Sequence, residues 1–392
     1  MNRIFILAAI LLCFDSLLKV EISGFFAQAG TITLMLTAMI TLLMRPSKAL
    51  EVIRRDKSGL LIFAVLLLHA ILALDLKNYL VTLTYFVIPY IFFITVKLNY
   101  KDSTWEKASV ICLWTLILTG VFQYITANFL GLQITFGNLT SDYYTTKFGL
   151  RMRGFFLEPN WYGVMLLQWL ALCLHFNLKS SKPVPWLLIL LSLTCLMLSD
   201  NRLTLLLSLI LITIYLLSRG GFKLQFSALS PKLLATSAAI IFILMSAPNL
   251  RQMTDEDRSI SARTVAMSST LSFMGNNASI SEWLRGYGFS NWGYYSNLYL
   301  LTPSNYLGEQ SLTRRDNSEI YVTLFEMGIT GLLLVLYEIL RTKPRSKKNN
   351  IAYFIICSTF VCGLFYPIYT FFLYMLPFLV ARSITTDKKN EQ

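Results

Sequence analysis

Charged residues are scarce in this chain. They make up 14% of its 392 residues, whereas a typical soluble domain carries about 25%. A water-soluble protein of this length needs far more polar surface to cover itself, so a soluble multidomain protein is excluded. Histidine is scarcer still, with two residues, and we find no P-loop, no Gly-x-Ser-x-Gly motif and no metal-ligand spacing. The sequence therefore offers none of the common nucleotide, metal or serine-nucleophile motifs.

Hydrophobic residues, by contrast, form 55% of the chain and fall in long blocks. A bilayer core about 30 Å thick is crossed by about 20 helical residues. We therefore predict an all-α, polytopic integral membrane protein with about twelve transmembrane helices; the pattern also allows eleven or thirteen. The predicted spans lie near 4–19, 22–44, 59–76, 79–96, 106–126, 159–176, 186–200, 202–218, 232–247, 318–340, 351–366 and 367–381.

The predicted spans divide the chain into three parts. Residues 1–247 hold spans one to nine and an outer segment at 127–158, residues 248–317 form one large outer loop, and residues 318–392 hold spans ten to twelve and a tail. Loops this long usually carry function. The six cysteines all fall inside apolar blocks without a Cys-x-x-Cys pair, so we interpret them as packing residues.

The net charge of +13 would suggest nucleic acid in a soluble protein, but here the first question is which side the charges occupy. Of the 34 basic residues, 22 fall on the side of the predicted termini, which places both termini in the cytoplasm. Those 22 are mostly Lys, whereas nine of the 12 outer ones are Arg. Arginine suits bidentate recognition of phosphate or carboxylate, although chance is the alternative.

The first outer motif contains Arg151, Arg153, Glu158, Pro159 and Asn160 and leads into the sixth span. Proline fits the first helical position, so the positive end of that helix is predicted at the outer face. Such an end, beside two arginines, suits an anion. The alternative is a capped helix whose arginines bind lipid headgroups.

The second motif, Ser199-Asp200-Asn201-Arg202, forms the outer turn before the eighth span. Its first three residues are good N-caps. A cation at membrane depth usually faces the protein interior or a polar cavity, so we expect this of Arg202. The alternative is a local ion pair between Asp200 and Arg202.

The remaining motifs lie in and after the large loop. Arg263 ends a Ser-x-Arg sequence, and Arg285 opens an Arg-Gly-Tyr-Gly sequence that a tight turn alone would explain. Asp316, Asn317 and Glu319 precede or open the tenth span, where capping is the alternative. If the starts of spans six, eight and ten converge, they form a cationic pocket beside the bilayer, suited to a lipid-linked diphosphate.

The two histidines are poor catalytic candidates. His175 is predicted at the cytoplasmic end of the sixth span. His69 lies in the outer half of the third span, where a hydrogen-bonded contact between helices is the favoured interpretation. The same caution applies to Asp15 in the first span.

The order of these motifs resembles a known family. It runs from Arg-Gly-x-Phe and Glu-Pro-Asn before a helix, through an outer Arg and a large loop with Ser-x-Arg and Gly-x-Gly, to Asp-Asn before a helix with Gly-x-x-Gly. This order, between about 151 and 331, resembles the O-antigen polymerase/O-antigen ligase superfamily of bacterial envelope glycosyltransferases. The resemblance implies a GT-C-like fold in the bacterial inner membrane with a periplasmic active site. It also implies an undecaprenyl-diphosphate-linked oligosaccharide donor and metal-independent transfer without a cofactor.

By that resemblance, Arg153, Arg202 and Arg263 would hold the donor diphosphate, whose leaving group gains negative charge. The family ligases have a His where this chain has Asp316, so a carboxylate, either Glu158 or Asp316, would have to take the acceptor proton; catalysis by positioning alone is the alternative. The candidate catalytic residues are Glu158, Asp316 and Arg202. The candidate substrate-binding residues are Arg151, Arg153, Asn160, Arg263, Arg285, Asn317 and Glu319.

The missing His favours a Wzy-type polysaccharide polymerase, which transfers a growing glycan from undecaprenyl diphosphate to the sugar hydroxyl of a new lipid-linked repeat unit. Two alternatives stay open: an O-antigen ligase acting on lipid A-core, and a lipid-linked oligosaccharide flippase. A transporter should carry ionisable residues at mid-membrane and internal symmetry, which the sequence largely lacks. The expected partners are the lipid-linked donor and acceptor, the lipid bilayer and a chain-length regulator protein, and no nucleic acid.

Overall fold

The computed structural model of the chain describes residues 2–14, 19–22, 25–132, 145–146, 149–156, 158–220, 258–299, 301, 319–343, 349–363 and 372–386. In these ranges the chain is mostly helical, which confirms the predicted helical class there. The helices are α1 (Asn2–Leu12), α2 (Ala29–Met44), α3 (Pro46–Arg55), α4 (Lys57–Leu68), α5 (Leu76–Leu98), α6 (Asp102–Phe129), α7 (Pro159–Lys179), α8 (Trp186–Leu198), α9 (Arg202–Arg219), α10 (Arg258–Asn277), α11 (Ile280–Arg285), α12 (Trp292–Leu298), α13 (Glu319–Arg341), α14 (Asn350–Gly363) and α15 (Phe372–Thr385). A 3-10 turn, His69–Leu72, follows α4, and four short strands are β1 (Lys19–Ile22), β2 (Phe25–Gln28), β3 (Thr145–Thr146) and β4 (Gly149–Leu150).

Several of these helices could cross a membrane. Within the described ranges, α5, α6, α7, α9 and α13 are long and apolar enough to do so. The bent pair α2 and α3 would make a sixth span, and α1, α4, α8, α14 and part of α15 are shorter apolar helices. The chain thus has the apolar helices that a membrane protein requires. The number of twelve spans stays a prediction, and the expected ninth span at 232–247 lies outside the described residues.

The N-terminal region differs from the expected spans 4–19 and 22–44. Helix α1 ends at Leu12, and the second span begins only after a hairpin in which β1 and β2 pair antiparallel, with Lys19 opposite Gln28. The hairpin sequence is rich in β-branched and aromatic residues around a Ser-Gly pair, which favours strands and a short turn. The local preference for strands therefore overrides the continuous apolar run.

The basic segment between the second and third spans is helical. It forms α3, whose axis is bent by 103° from that of α2. Pro46 stands at the start of α3, where its missing N–H costs nothing. Ala49 is buried while Leu50 and the arginines at the helix end are exposed. A basic amphipathic helix bent away from a span is typical of one that lies along a membrane surface.

Helix α7 forms the centre of the largest core. Nearly all of its side chains are buried, including Tyr162 and Trp169. Helices α6, α8, α9, α14 and α15 pack around it. The start of α7 is therefore held by several neighbours, which fixes the position of the first outer motif.

The expected large loop at 248–317 is largely helical where the structure describes it. It contains the 20-residue helix α10, whereas the sequence predicted a loop. Helices α10, α11 and α12 pack on the start of α13 through an aromatic cluster that includes Phe273, Tyr287, Trp292, Tyr295 and Phe325. Stacked and edge-to-face rings supply large contact areas that compensate for the polar character of the segment. The domain boundaries stay predictions.

Candidate functional site

The first two outer motifs contact each other through Arg151. Its Nε donates a hydrogen bond to the backbone carbonyl of Ser199 over 2.8 Å, and its Nη2 donates to that of Asp200 over 3.1 Å. The same Nη2 lies 3.4 Å from Oδ1 of Asn160. One guanidinium group therefore joins the first and second outer motifs, which are about 40 residues apart in the sequence.

The helices that follow these motifs begin side by side. As predicted, Pro159 is the first residue of α7, and Asn201 caps α9, because its Oδ1 accepts a hydrogen bond from the N–H of Thr204 over 3.2 Å. The Nδ2 of the same Asn201 donates to the backbone carbonyl of Asn160 over 3.2 Å. One amide side chain thus satisfies the start of α9 and ties it to the start of α7.

A glycine permits this close approach. A Cβ atom on Gly163 would lie 2.7 Å from Nδ2 of Asn201 and 2.7 Å from Oγ1 of Thr204. Cβ atoms essentially never make contacts this short, so a side chain at 163 would displace the side chains of Asn201 and Thr204 at the start of α9. The two helix starts are adjacent because the first turn of α7 has no side chain on that face.

The joined motifs carry a modest positive charge. Arg151, Arg153 and Arg202 exceed Glu158 and Asp200 by one formal charge. Each helix N-terminus adds about half a positive charge. The combination suits an anion with several oxygens, as a phosphate or diphosphate has.

Arg153 and Arg202 differ in their exposure to solvent: Arg153 is buried and Arg202 is exposed. Arg153 is 8% exposed, and its backbone N–H donates to Oε1 of Gln123 over 2.9 Å. The side chain of Arg202 is 77% exposed, and its Nε lies 3.9 Å from Oδ1 of Asp200. Arg202 therefore does not face the protein interior, and the local pair with Asp200, which was the alternative, is the one observed. The preceding Asn201 faces α7, so the next residue, about 100° further round the helix, points outward and forms the local pair.

The two carboxylate candidates differ in what the structure describes. Glu158 occupies the N-cap position of α7, and its side chain makes no capping hydrogen bond; its backbone carbonyl accepts the N–H of Tyr162 over 3.3 Å. Capping therefore does not explain this carboxylate. Asp316 and Asn317 lie outside the described residues.

The other candidates lie around α13. Glu319 is the first described residue of α13 and is fully buried. Arg285 ends α11 and is exposed. Arg263 lies in α10, and its side chain is outside the described residues. The convergence of α13 with the starts of α7 and α9 stays a prediction.

The Gly-Tyr-Gly sequence crosses α13 at a break in that helix. Gly328 has φ 63° and ψ −159°, which interrupts the helical hydrogen-bond ladder. On the N-terminal side of the break, the carbonyls of Phe325 and Glu326 accept hydrogen bonds from the N–H groups of Tyr287 (2.9 Å) and Gly288 (3.0 Å). Residues 286–291, which we call the strap, are thus paired to a broken helix and are more than the tight turn that the sequence suggested.

The strap is also fastened on its other side. The N–H of Phe289 donates to Nδ1 of His69 over 3.3 Å. Asn291 donates to the carbonyl of Leu72 over 2.8 Å and accepts from the N–H of Leu74 over 3.1 Å. His69 is thus hydrogen-bonded as predicted, but its partner is the backbone of the strap, whereas a contact between helices was expected. The strap therefore links the connection between α4 and α5 to the break in α13.

The histidine on α7, Asp15 and the cysteines add no residue to the candidate site. His175 is fully buried on α7, and Asp15 lies outside the described residues. All six cysteines are buried and unbridged, which confirms them as packing residues. In the ranges that the structure describes, no three His, Cys, Asp or Glu side chains are grouped so that they could hold a metal ion.

The structure contains a buried charge cluster that we did not predict from the sequence. Arg382 donates from Nη2 to Oδ2 of Asp56 over 3.0 Å and from Nε to Glu338, while Nη1 of Arg341 donates to Oδ1 of Asp56 over 2.6 Å. The side chains of Asp56, Glu338 and Arg382 are each 7% exposed. Burial raises the pKa of Asp56, but the neighbouring Arg382 and Arg341 outweigh it, so the pKa lies below its ordinary value.

One signal could have revealed this cluster. We counted Arg341 and Arg382 only as charges that set orientation, whereas Glu338 lies inside the predicted span 318–340. An acidic residue inside a membrane span usually pairs with a basic side chain, so Glu338 indicated that such a partner lies nearby. The partners come from distant parts of the sequence, and only the fold brings them together.

Comparison with protein-family models, with curated proteins and with solved structures gives no match for this chain. The fold and the site define it as a largely helical protein with several helices able to cross a membrane and with a cationic pair of helix starts.

Proposed function

We propose that the protein is a polysaccharide polymerase of the O-antigen type in the bacterial inner membrane. In this proposal both termini are cytoplasmic and the joined motifs face the periplasm. The enzyme transfers a growing glycan from undecaprenyl diphosphate to the sugar hydroxyl of a new lipid-linked repeat unit. It uses no metal ion and no cofactor.

The observation that carries the proposal is the contact of Arg151 with the 199–201 turn. With the hydrogen bond from Asn201 to Asn160, this contact holds two helix N-termini side by side next to the guanidinium group of Arg151. A departing lipid diphosphate gains negative charge as the glycosidic bond breaks, and fixed cations and helix ends stabilise that charge. The order of motifs along the chain, which resembles the polymerase and ligase superfamily, supports the same substrate.

Contacts between distant segments support the proposed orientation. Segments predicted to be cytoplasmic contact one another: Asp56 pairs with Arg341 and Arg382, and Lys179 pairs with Asp102 over 2.5 Å. Segments predicted to be outer also contact one another, as the motif at 151–160 does with the turn at 199–201 and as the strap does with 69–74. A wrong assignment of sides would be expected to mix the two groups.

Deletion of the gene in its host, followed by a lipopolysaccharide gel, tests the proposal. A polymerase deletion leaves lipid A-core that carries one repeat unit. Bare core with polymer retained on the lipid carrier would instead identify a ligase. Bare core with single units trapped inside the cell would identify a transporter. Either of the last two results would overturn the polymerase assignment.

Variants expressed in the deletion strain test the residues. Arg153→Ala, Arg202→Ala and Arg263→Ala should abolish polymer while the protein remains in the membrane at normal amount. Arg54→Ala, at an exposed arginine of α3, is the matched control and should leave the chain lengths unchanged. Normal chain lengths in all three test variants would refute the diphosphate site.

The identity of the base needs separate variants. Glu158→Gln and Asp316→Asn keep the side-chain shape and remove the charge. Loss of polymer in one of them would identify the proton acceptor. Full activity in both would favour catalysis by positioning alone.

The break in α13 favours a transporter as the second candidate, because discontinuous helices often form transport sites through their free carbonyl groups. Here, however, the carbonyls of Phe325 and Glu326 beside the break already accept hydrogen bonds from Tyr287 and Gly288. They are therefore less available to a transported ion. This occupation is why we rank the transporter below the enzyme.

A further inference from the structure

A cavity runs along α13, and its lining contains none of the residues of the two joined outer motifs. Its volume is about 170 Å³, and its lining reaches from Thr323 at one end to Glu338 at the other. Its walls come from α4, α5, α13, α14 and α15 and are almost wholly apolar; they include Phe63, Phe86, Phe93, Met327, Leu334 and Phe360.

The cavity ends in one carboxyl group with an unused oxygen. Glu338 and Arg382 both line the cavity, and the Oε1 of Glu338 accepts a hydrogen bond from Nε of Arg382. The side chain of Glu338 is 7% exposed, and no residue of the described part of the chain donates to its Oε2. A buried carboxylate oxygen without a donor is costly, so a donor from outside the chain would be stabilising.

The charges around this end select the kind of donor. Asp56 and Glu338 balance Arg341 and Arg382, so the cluster is formally neutral. The Nζ of Lys97 adds a cation 5.9 Å from the centre of the Phe93 ring. An ammonium group would add a further unbalanced charge in a buried place, and an anionic head would face the Glu338 carboxylate without offering a hydrogen. A neutral hydroxyl group fits both conditions.

We propose that this cavity binds a single-chain lipid alcohol. Its hydroxyl group donates a hydrogen bond to Oε2 of Glu338, and its hydrocarbon chain runs along α13 towards Phe289 at the other end. An apolar protein cavity of about 150 Å³ is large enough to bind benzene, so the volume here accommodates part of a hydrocarbon chain. The site is separate from the glycan transfer proposed above and does not depend on it.

Photolabelling of the full-length protein in lipid nanodiscs tests the proposal. The probe is hexadecanol that carries a diazirine at mid-chain, compared with its methyl ether and with the corresponding amine. We expect the alcohol to label peptides from α4, α5 and α13 about tenfold more than the ether, because the alcohol donates a hydrogen bond and the ether cannot. The amine should label no more than the ether.

Two variants separate the head from the chain. Glu338→Gln keeps an oxygen for Arg382 but replaces the other oxygen with an NH2 group, so alcohol labelling should fall to the level of the ether. Val335→Phe places a ring in the cavity wall and should reduce labelling by both probes. Leu336→Phe is its matched control, since Leu336 is the next residue of the same helix and is 46% exposed; labelling should not change.

Competition in the wild-type protein provides a test that needs no variant. Unlabelled hexadecanol should prevent labelling, and hexadecane should not. Equal labelling by alcohol and ether, preferential labelling by the amine, equal competition by hexadecane, or labels that map to other helices would each overturn the proposal. Unchanged alcohol labelling in folded Glu338→Gln would do the same.

Discussion

The contact between the strap and α13 depends on Gly328, which makes Gly328→Ala an informative perturbation. At φ 63° and ψ −159° the backbone is in a region that is essentially restricted to glycine. A Cβ atom would also lie 2.5 Å from the carbonyl oxygen of Leu284 and 2.6 Å from the backbone nitrogen of Gly286. Both neighbours are backbone atoms, so rotation of a side chain offers no relief.

The cost has two parts. Forcing alanine into these dihedral angles costs about 1–3 kcal/mol. The steric conflict separates α13 from the strap and threatens the hydrogen bonds from Tyr287 to Phe325 and from Gly288 to Glu326. Each such bond contributes about 0.5–1.5 kcal/mol. We therefore expect Gly328→Ala to lower the free energy of unfolding by about 2–6 kcal/mol.

Reversible unfolding in mixed micelles of SDS and a mild detergent, followed by tryptophan fluorescence, measures this difference. Gly275→Ala is the matched control, because a Cβ atom on Gly275, in α10, would meet nothing within 4 Å. Alanine is the better helix former at such a site, so the control should be neutral or more stable by up to about 1 kcal/mol.

A loss of less than about 1 kcal/mol in Gly328→Ala would refute this reasoning, since it is below the smallest cost of the dihedral strain and the two hydrogen bonds together. It would mean that α13 continues without a break at this position. The same result would remove the observation that favours the transporter as the second candidate, because the carbonyls of Phe325 and Glu326 would then have ordinary helical partners.

Two further predictions concern the outer motifs and the buried charges. Gly163→Ala should separate the starts of α7 and α9 and reduce polymer formation in the host more than it reduces the amount of folded protein, which gels and immunoblots of the same cells would measure. The folded-state pKa of Asp56 lies below its ordinary value of 3.8, so its stabilising effect is complete above that pH and is lost as the pH falls through the folded-state value. The unfolding midpoint, measured between about pH 5 and pH 3, should fall in the wild type and change less in Asp56→Asn. Parallel curves would contradict this role of Asp56.

Local sequence signals were sufficient to predict helix starts, because certain residue types are specifically suited to these positions. Pro159 predicted the start of α7, and Asn201 predicted the cap of α9, because a missing N–H and a short amide side chain are both suited to helix starts. Apolar blocks likewise indicated most of the long helices. These features depend on neighbours within a few residues and so are visible in the sequence.

Features that depend on distant partners were not predictable in this way. The burial of Arg382 follows from Asp56 and Glu338, which lie 326 and 44 residues away. The outward direction of Arg202 follows from the contact that Asn201 makes with α7, whereas the cost of a charge in lipid had suggested the opposite. The sequence alone indicates that a buried charge needs a partner, but it does not identify the segment that supplies this partner.

The buried cluster also bears on the orientation that we inferred from charge. Arg341 and Arg382 were counted among the 22 basic residues of the side predicted to be cytoplasmic, yet Asp56 and Glu338 neutralise them. Without these two, 20 basic residues remain on that side against 12 on the other. The rule counts Lys and Arg and is little affected by acidic residues, so the predicted orientation is unchanged. Without Arg341 and Arg382, the number of arginines on the predicted cytoplasmic side falls from eight to six. The difference from the nine arginines of the outer side becomes larger.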